Sequence, residues 1–202
     1  VKNAIKHGLL MQRVVERLRR IGVDFNPYWL FREGVRAHRT EWPHLANEFP
    51  SSVLAERDAA AISTCTAWNT EKVVRKRLKR GDLCIVLKHN GEIAGYTWAD
   101  LQRVSDAACN FPLERDEAYL YDAYIAPQFR GRGLAPYMRS ECYKHLRATG
   151  RYCFYSISDF FNKPAIRFKR KLNAEMVRLY LQIKLGGRPL GQWVLREYGP
   201  GH

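Results

Sequence analysis

No stretch of this chain approaches the ~20 consecutive apolar residues of a membrane-spanning helix, and no cleavable signal is legible in it. Cys-x-x-Cys pairs are missing too. The five cysteines (Cys65, Cys84, Cys109, Cys142, Cys153) are an odd number, set mostly in apolar surroundings. They read as reduced core thiols of a cytoplasmic protein rather than a disulfide framework. The six histidines show no ligand spacing, so no metal site is expected. No internal repeat or low-complexity tract appears. Acidic residues are scarce, 20 against 34 lysines and arginines.

What is present fits one ordinary domain with room for an extension. A hydrophobic fraction of 46% supports a core without staples. The formal net charge of +14 biases partners toward anions. CoA phosphates, nucleic acid, an acidic carrier protein and an anionic membrane surface all qualify. Solvated helix faces account for the same charge, so it does not choose among them.

The sharpest local signal is Ile125-Ala-Pro-Gln-Phe-Arg-Gly-Arg-Gly-Leu-Ala135. A hydrophobic strand over 118–125 runs into a loop with two glycines, and a helix over 134–148 follows at once. Successive N–H groups and the positive end of a helix then point at one spot, which suits phosphate. Glycine gives the loop its dihedral freedom and lets phosphate oxygens come close. A dinucleotide fingerprint needs a third glycine where Pro136 stands, and a P-loop needs a Gly-Lys-Ser/Thr tripeptide that does not follow.

The segment Gln128-Phe-Arg-Gly131-Arg-Gly133 resembles motif A of the GNAT acyltransferase superfamily, whose loop holds the pyrophosphate of acyl-CoA. A second resemblance lies at 162–172, where Asn162, Ala165 and Leu172 match the superfamily segment that covers the pantetheine arm. Two departures stand out there. Lys169 occupies the position often held by a tyrosine that protonates the leaving thiolate. Asn173-Ala174 replaces the usual Gly-Phe, and Asn is tolerated past a helix end because it enters the left-handed region at modest cost.

Periodicity along the rest of the chain agrees with that family. Residues 4–21 read as an amphipathic helix ended by Gly22. Residues 28–32 read as a strand, and 34–50 as irregular. A helix capped by Ser51 or Ser52 is expected to run to Thr66, and Thr70 is expected to cap another over 71–80. Residues 83–88 and 92–101 form a hairpin through the Asn90-Gly91 turn. A polar loop over 102–116 precedes the glycine-loop strand. Strand 152–157, helix 162–172 and strands 175–184 and 192–198 complete the order. The predicted fold is α/β: a mixed, mostly antiparallel sheet of six to seven strands flanked by helices, with an extra N-terminal helix. The division is a 1–22 extension and a 23–202 acyltransferase domain.

The resemblance implies acetyl-CoA or another acyl-CoA as co-substrate. Acetyl transfer to an amine would proceed by direct attack in a ternary complex. The fourth strand of the family fold splays from the fifth, so the backbone of Ala123, Tyr124 and Ile125 would polarise the thioester and pair with pantetheine. Gly131, Arg132, Gly133, Leu134, Ala135 and Pro136 would surround the pyrophosphate. Pro136, having no N–H, contributes shape alone. Arg130 and Arg132 add charge-assisted contacts to phosphate or face solvent.

Asp122 is the first candidate for general base, with Glu117 and Asp100 behind it. Tyr155 or Tyr124 could supply a phenol to the thiolate. Lys169 could do so if burial lowers its pKa; otherwise it joins Lys163, Arg167, Arg170 and Lys171 on a basic face toward the CoA 3′-phosphate or solvent. The strand aromatics, among them Trp98, Tyr119 and Tyr121, read first as core or cleft wall.

Two other functions stay open. One is acyl transfer from an acidic acyl carrier protein, with the basic helices 71–80 and 163–171 as docking faces. The other is a non-catalytic module for RNA or another anion, its best patch being Lys72, Arg75, Lys76, Arg77, Lys79 and Arg80. No RNA-binding motif supports the latter, so specific nucleic-acid binding is not expected. A homodimer is compatible with the sequence, and the acceptor amine has no legible motif.

Overall fold

The computed structural model describes Arg17, Arg20 and residues 22–34, 42–106 and 109–199. In chain order the elements are β1 (Val23–Glu33), α1 (Pro43–Glu48), β2 (Ser51–Val53), α2 (Ala59–Ser63), α3 (Glu71–Arg80), β3 (Leu83–His89) and β4 (Glu92–Asp100). Then come β5 (Arg103–Ser105), β6 (Asn110–Pro112), β7 (Glu117–Ile125), α4 (Leu134–Arg147), β8 (Cys153–Asp159), α5 (Lys163–Lys171), β9 (Glu175–Leu185) and β10 (Arg188–Glu197). Eight strands make one sheet in the order β10-β9-β1-β8-β7-β4-β3-β2. Every neighbouring pair is antiparallel except β7 and β8, which are joined through α4 and run parallel.

The hairpin β3–β4 turns where both Asn90 (φ 50°) and Gly91 (φ 86°) are left-handed, the conformation that matches strand twist in a two-residue turn. One sheet face presents Ile85, Ala99, Ala118, Leu120 and Phe154 to the buried side of α4, on which Cys142, Tyr143 and Leu146 lie. The helical spacing of Leu134, Tyr137, Met138, Cys142 and Leu146 produces that apolar stripe. The opposite face presents Cys84, Val86, Tyr96 and Trp98 to α2 and to Val74 of α3. Strand β4 is therefore buried on both sides and braces the centre.

Several sequence expectations are corrected. The sheet has eight strands rather than six to seven, because Ser51–Val53 adds an edge strand, and β1 begins earlier than expected, at Val23. Ser51 and Ser52 do not cap a helix. They pair with Leu87 and Val86 of β3, and the Ser51 hydroxyl donates to Glu141. The helix after them shrinks to a 3-10 turn at Glu56–Asp58 and α2, since pairing with β3 claims the preceding backbone. Thr70 stands at the start of α3, but its side chain makes no capping bond. The 34–50 segment contains α1, with Pro43 in its first turn, and the 102–116 loop contains the β5–β6 hairpin. Strand β1 lies between β8 and β9, so the last strand, β10, is left at the sheet edge with Leu190, Trp193, Val194 and Leu195 exposed. Apart from Arg17 and Arg20, the helix expected over 4–21 lies outside the described residues.

Candidate active site

The two parallel strands form a fork. β7 and β8 pair from Glu117 and Cys153 to Leu120 and Ser156, and their pairing stops there. Beyond that point β7 stays on β4 as far as Ile125, and β8 stays on β1 as far as Asp159. A bulge accompanies the parting: Trp98 pairs with Tyr121 but Tyr96 pairs with Tyr124, one residue out of step. Asp122 sits in the bulge with φ 47°, a left-handed conformation rare for a residue other than glycine. Its carboxylate accepts from Arg77 at 2.5 Å, Asn69 Nδ2 at 2.9 Å and Trp68 Nε1 at 3.3 Å, all from α3 or the turn before it. Gly95 opposite Ile125 lets the arm press close, since a Cβ there would lie 2.8 Å from the Tyr124 carbonyl.

This freed arm of β7 holds Ala123, Tyr124 and Ile125 and leads through a 3-10 turn at Pro127–Phe129 into the glycine loop. Gly131 (φ 81°) and Gly133 (φ 78°) are both left-handed, and a Cβ added to either would meet open space. Glycine is thus required by backbone conformation, while the space before the loop is free for a ligand. Among the described residues, no backbone carbonyl accepts from the N–H groups of Gly131, Arg132, Gly133, Leu134 or Ala135. These are the orphan donors of a helix start, and they suit an anion. The two loop arginines are engaged within the protein. Arg130 Nε donates to the Ile125 carbonyl at 3.0 Å, and Arg132 Nη2 donates to both carboxylate oxygens of Glu48 at 2.6 and 2.8 Å.

The other arm is held from beneath. Lys169 is 2% exposed, not on the basic face expected of it, which α5 reserves for Lys163, Arg167, Arg170 and Lys171. The helix turns position 169 inward, onto the Phe31 ring at 4.8 Å. Its Nζ donates to Ser158 Oγ at 2.7 Å and to the Ile157 carbonyl at 3.2 Å, the first two residues of β8 beyond the fork. Glu33, fully buried at the end of β1, lies 3.9 Å from Lys169 Nζ and 3.6 Å from Arg139 Nε. It also accepts from the hydroxyls of Tyr143 and Ser156. Burial pushes the Glu33 carboxyl upward, but the two cations and two hydroxyls outweigh it and hold the pKa below its ordinary value. Burial brings Lys169 down to about 7, with Glu33 opposing and Arg139 reinforcing that shift.

The remaining candidates are placed apart from the fork opening. Tyr155 pairs with Tyr119 in the closed part and donates to Glu117 at 3.0 Å. Asp100 accepts from the N–H groups of Gln102 and Arg103, closing a turn. Asn162 accepts from the Ala165 N–H at 3.2 Å, so the Asn-x-x-Ala spacing is a helix cap of α5. Asn173 follows α5 with φ 57°, in the left-handed conformation expected of it. Glu33, Ser158, Asn69 and Gly95 were not singled out from the sequence, and Arg77 was named only as part of an anion-binding patch. None has a local pattern that marks it, because each acts through strands or turns distant in the chain.

A recess of about 560 Å³ lies against the β7 arm, lined among others by Asp58, Cys65, Glu92 and Tyr124. No group of three or more His, Cys, Asp or Glu among the described residues could hold a metal ion, and no helix there is long and apolar enough to cross a membrane.

Comparison with known proteins gives one family. The model described as the acetyltransferase (GNAT) family matches residues 29–174. No curated protein matches the chain. Among solved structures, a GNAT-family protein from Novosphingobium aromaticivorans is similar at TM-score 0.58 and 16% identity, over 81% of this chain and 66% of its own. A GNAT acetyltransferase from Colwellia psychrerythraea is similar at TM-score 0.58 and 13% identity, over 81% of this chain and 57% of its own. The yncA protein of Salmonella typhimurium, whose structure holds acetyl-CoA, is similar at TM-score 0.50 and 18% identity, over 77% of this chain and 99% of its own. The chain thus spans 57% to 66% of the length of the first two. Identities this low speak to the fold alone.

Proposed function

Because the chain belongs to the acetyltransferase (GNAT) family, we propose that it transfers an acetyl group from acetyl-CoA to an amine by direct attack in a ternary complex. The observation that carries this reading is the fork whose β7 arm runs straight into the glycine loop. A thioester seated in the fork meets the edge of β7 at Ala123, Tyr124 and Ile125 that β8 no longer covers. The N–H groups of Gly131 to Ala135 take the pyrophosphate. Pro136 shapes the helix start, and Asn162 serves the site indirectly by capping α5. Arg130 spends only Nε on the Ile125 carbonyl and Arg132 only one terminal nitrogen on Glu48, so each keeps N–H groups to offer phosphate.

The acceptor amine enters by the recess beside Tyr124, where Asp58 and Glu92 outnumber Lys88 and suit a cation. Asp122, with three donors on its carboxylate, shapes the arm rather than abstracting a proton. Tyr155, bound to Glu117 below the fork, stays structural. A carrier-protein donor is the second reading, favoured by the exposed cations of α5. The nucleic-acid reading loses half its patch: Arg75 pairs with Glu71, Arg77 with Asp122 and Arg80 with Asp82.

The test is calorimetric titration with CoA, acetyl-CoA and a longer acyl-CoA. Gly131→Glu is the loop variant and Gly81→Glu the control, since Gly81 shares the left-handed strain (φ 94°) with open space around it. Binding to the wild type and the control but not to Gly131→Glu supports the site. Binding of none of the three to the wild type rejects the acyl-CoA donor.

A further inference from the structure

Three rings meet behind the glycine loop: Phe49 just past α1, His89 at the end of β3, and Phe129 in the 3-10 turn before the loop. They form a triangle with centroids 5.0, 5.1 and 5.3 Å apart. Arg132 of the loop sets its guanidinium 5.0 Å from the Phe49 ring and gives Nη2 to Glu48. His89 Nδ1 lies 3.8 Å from the same Glu48 carboxylate. From this chain of contacts we infer that His89 is a positioning residue for the co-substrate. By taking up a proton it holds Glu48 and strengthens the grip of the glycine loop on pyrophosphate. This rests on the acyl-CoA reading above and gives it a pH dependence.

A carboxylate beside an anion site works against the anion. Glu48 stands in that position, shared between Arg132, whose charge is fixed, and an imidazole, whose charge is not. Histidine is the side chain that changes charge between about pH 5 and about pH 8. With His89 neutral, Arg132 alone offsets Glu48. With His89 protonated, Glu48 has a second cationic partner, and more of the Arg132 charge is left for phosphate. The charged groups facing His89 are Glu48 beside it, Arg132 behind Glu48 in the loop, and Glu92 opposite on β4. Glu92 belongs to the hairpin and not to the loop, so Glu48 is the group that carries the effect of the proton to Arg132.

The surroundings of His89 admit both of its states. Nδ1 faces the Glu48 carbonyl at 3.4 Å, and Nε2 faces the Asn90 amide at 3.3 Å. A neutral ring with its hydrogen on Nδ1 gives to the carbonyl and accepts from Asn90. A protonated ring gives at both nitrogens once the Asn90 amide turns its oxygen inward. The ring triangle stays as it is, so the charge beside the loop changes while the loop geometry does not.

The test is calorimetric binding of dephospho-CoA to the full chain from about pH 5.5 to about pH 8. CoA itself is unsuited, because its 3′-phosphate changes charge near pH ~6. The pyrophosphate of dephospho-CoA keeps its charge throughout. The wild type is expected to bind about threefold more tightly at the acid end, the scale of one part-exposed pair. It should also take up protons on binding, read as a difference in heat between buffers of unequal ionisation enthalpy. His89→Gln is expected to bind with a flat profile and no uptake. His89→Phe keeps the three rings together and is expected to be equally flat, which covers the case in which His89→Gln does not fold. A merely structural His89 would shift affinity by the same factor at every pH. A sloped profile shared by the wild type and the His89 variants therefore overturns the inference. A flat wild-type profile overturns it too, and leaves the acyl-CoA reading standing. A wild type that binds neither CoA nor dephospho-CoA at any pH removes that reading, and this inference with it.

Discussion

The two arms of the fork are held open by opposite means. On β7, Asp122 is tied to Arg77 by side chains that remain 14% and 20% exposed, with Asn69 and Trp68 as further donors. On β8, Lys169 and Glu33 are 3% and 0% exposed at the side chain, and Arg139 is 4% exposed. Water still helps to solvate the first cluster if a member is lost. It cannot reach the second. Breaking a buried pair leaves an uncompensated charge in low dielectric, whereas a part-exposed pair is screened. The β8 arm is therefore the more costly one to disturb, and the more easily tuned in its proton affinity.

The largest expected effect tests that difference. Glu33→Gln strips the carboxylate from Arg139 and Lys169, and a loss of about 3–5 kcal/mol in unfolding free energy is expected. Denaturant titration at constant pH measures it. A loss below about 1 kcal/mol, the scale of an exposed pair, would erase the contrast between the arms. Next in size is Asp122→Ala. It leaves Arg77 and Asn69 without their acceptor and places alanine at φ 47°, for an expected loss of about 1–3 kcal/mol. Asp122→Asn tests the parts separately, because asparagine enters the left-handed region readily and keeps an acceptor oxygen. It should recover about half of that loss.

The arms also differ in how far they could be read from sequence. The β7 arm and the glycine loop are contiguous, residues 117 to 136. An apolar run, a proline turn and two glycines announce strand, turn and helix start, because each depends on local dihedral preference. The β8 cluster is assembled from residues 33, 139, 158 and 169. Position 169 lies in a helix so rich in lysine and arginine that its inward face was indistinguishable from its outward ones. The family resemblance marks position 169 but leaves its direction open; the packing of α5 onto β8 and β1 turns Lys169 inward. Strand β2 was missed for a related reason: three residues pairing with β3 overrode a serine that locally favours a cap. The insertion of β1 between β8 and β9 is a matter of topology, and no residue pattern in 23–33 encodes its neighbour.

Lys169 gives the comparison a pH dependence. The unfolded lysine keeps its proton to about 10.4, and the folded one only to about 7. Between those values the unfolded chain binds more protons, so unfolding free energy rises with pH. The expected slope from this group is about 1.4 kcal/mol per pH unit above neutrality, flattening toward pH ~10. Unfolding of wild type and Lys169→Met measured from pH 7 to about pH 9 isolates it. Asp122→Asn, which leaves Lys169 and its partners in place, is expected to keep the wild-type slope. Equal slopes for Lys169→Met and wild type would show that the lysine keeps an ordinary proton affinity despite its burial.

Arg132 and Glu48 set the lower end of the scale. Their side chains are 42% and 36% exposed, and the pair joins the glycine loop to the end of α1. Arg132→Ala is expected to change stability by less than about 1 kcal/mol, because water and salt screen the charges and two long side chains lose freedom in pairing. The informative measurement is instead acetyl-CoA affinity in a double-mutant cycle with Glu48→Gln. If Arg132 exchanges Glu48 for phosphate, Glu48→Gln tightens binding by releasing the arginine, and the gain vanishes when Arg132 is also alanine. If Arg132 stays with α1, neither variant moves the affinity beyond a factor of about two, within the scatter of an exposed charge, and the backbone N–H groups of the loop hold the pyrophosphate without it.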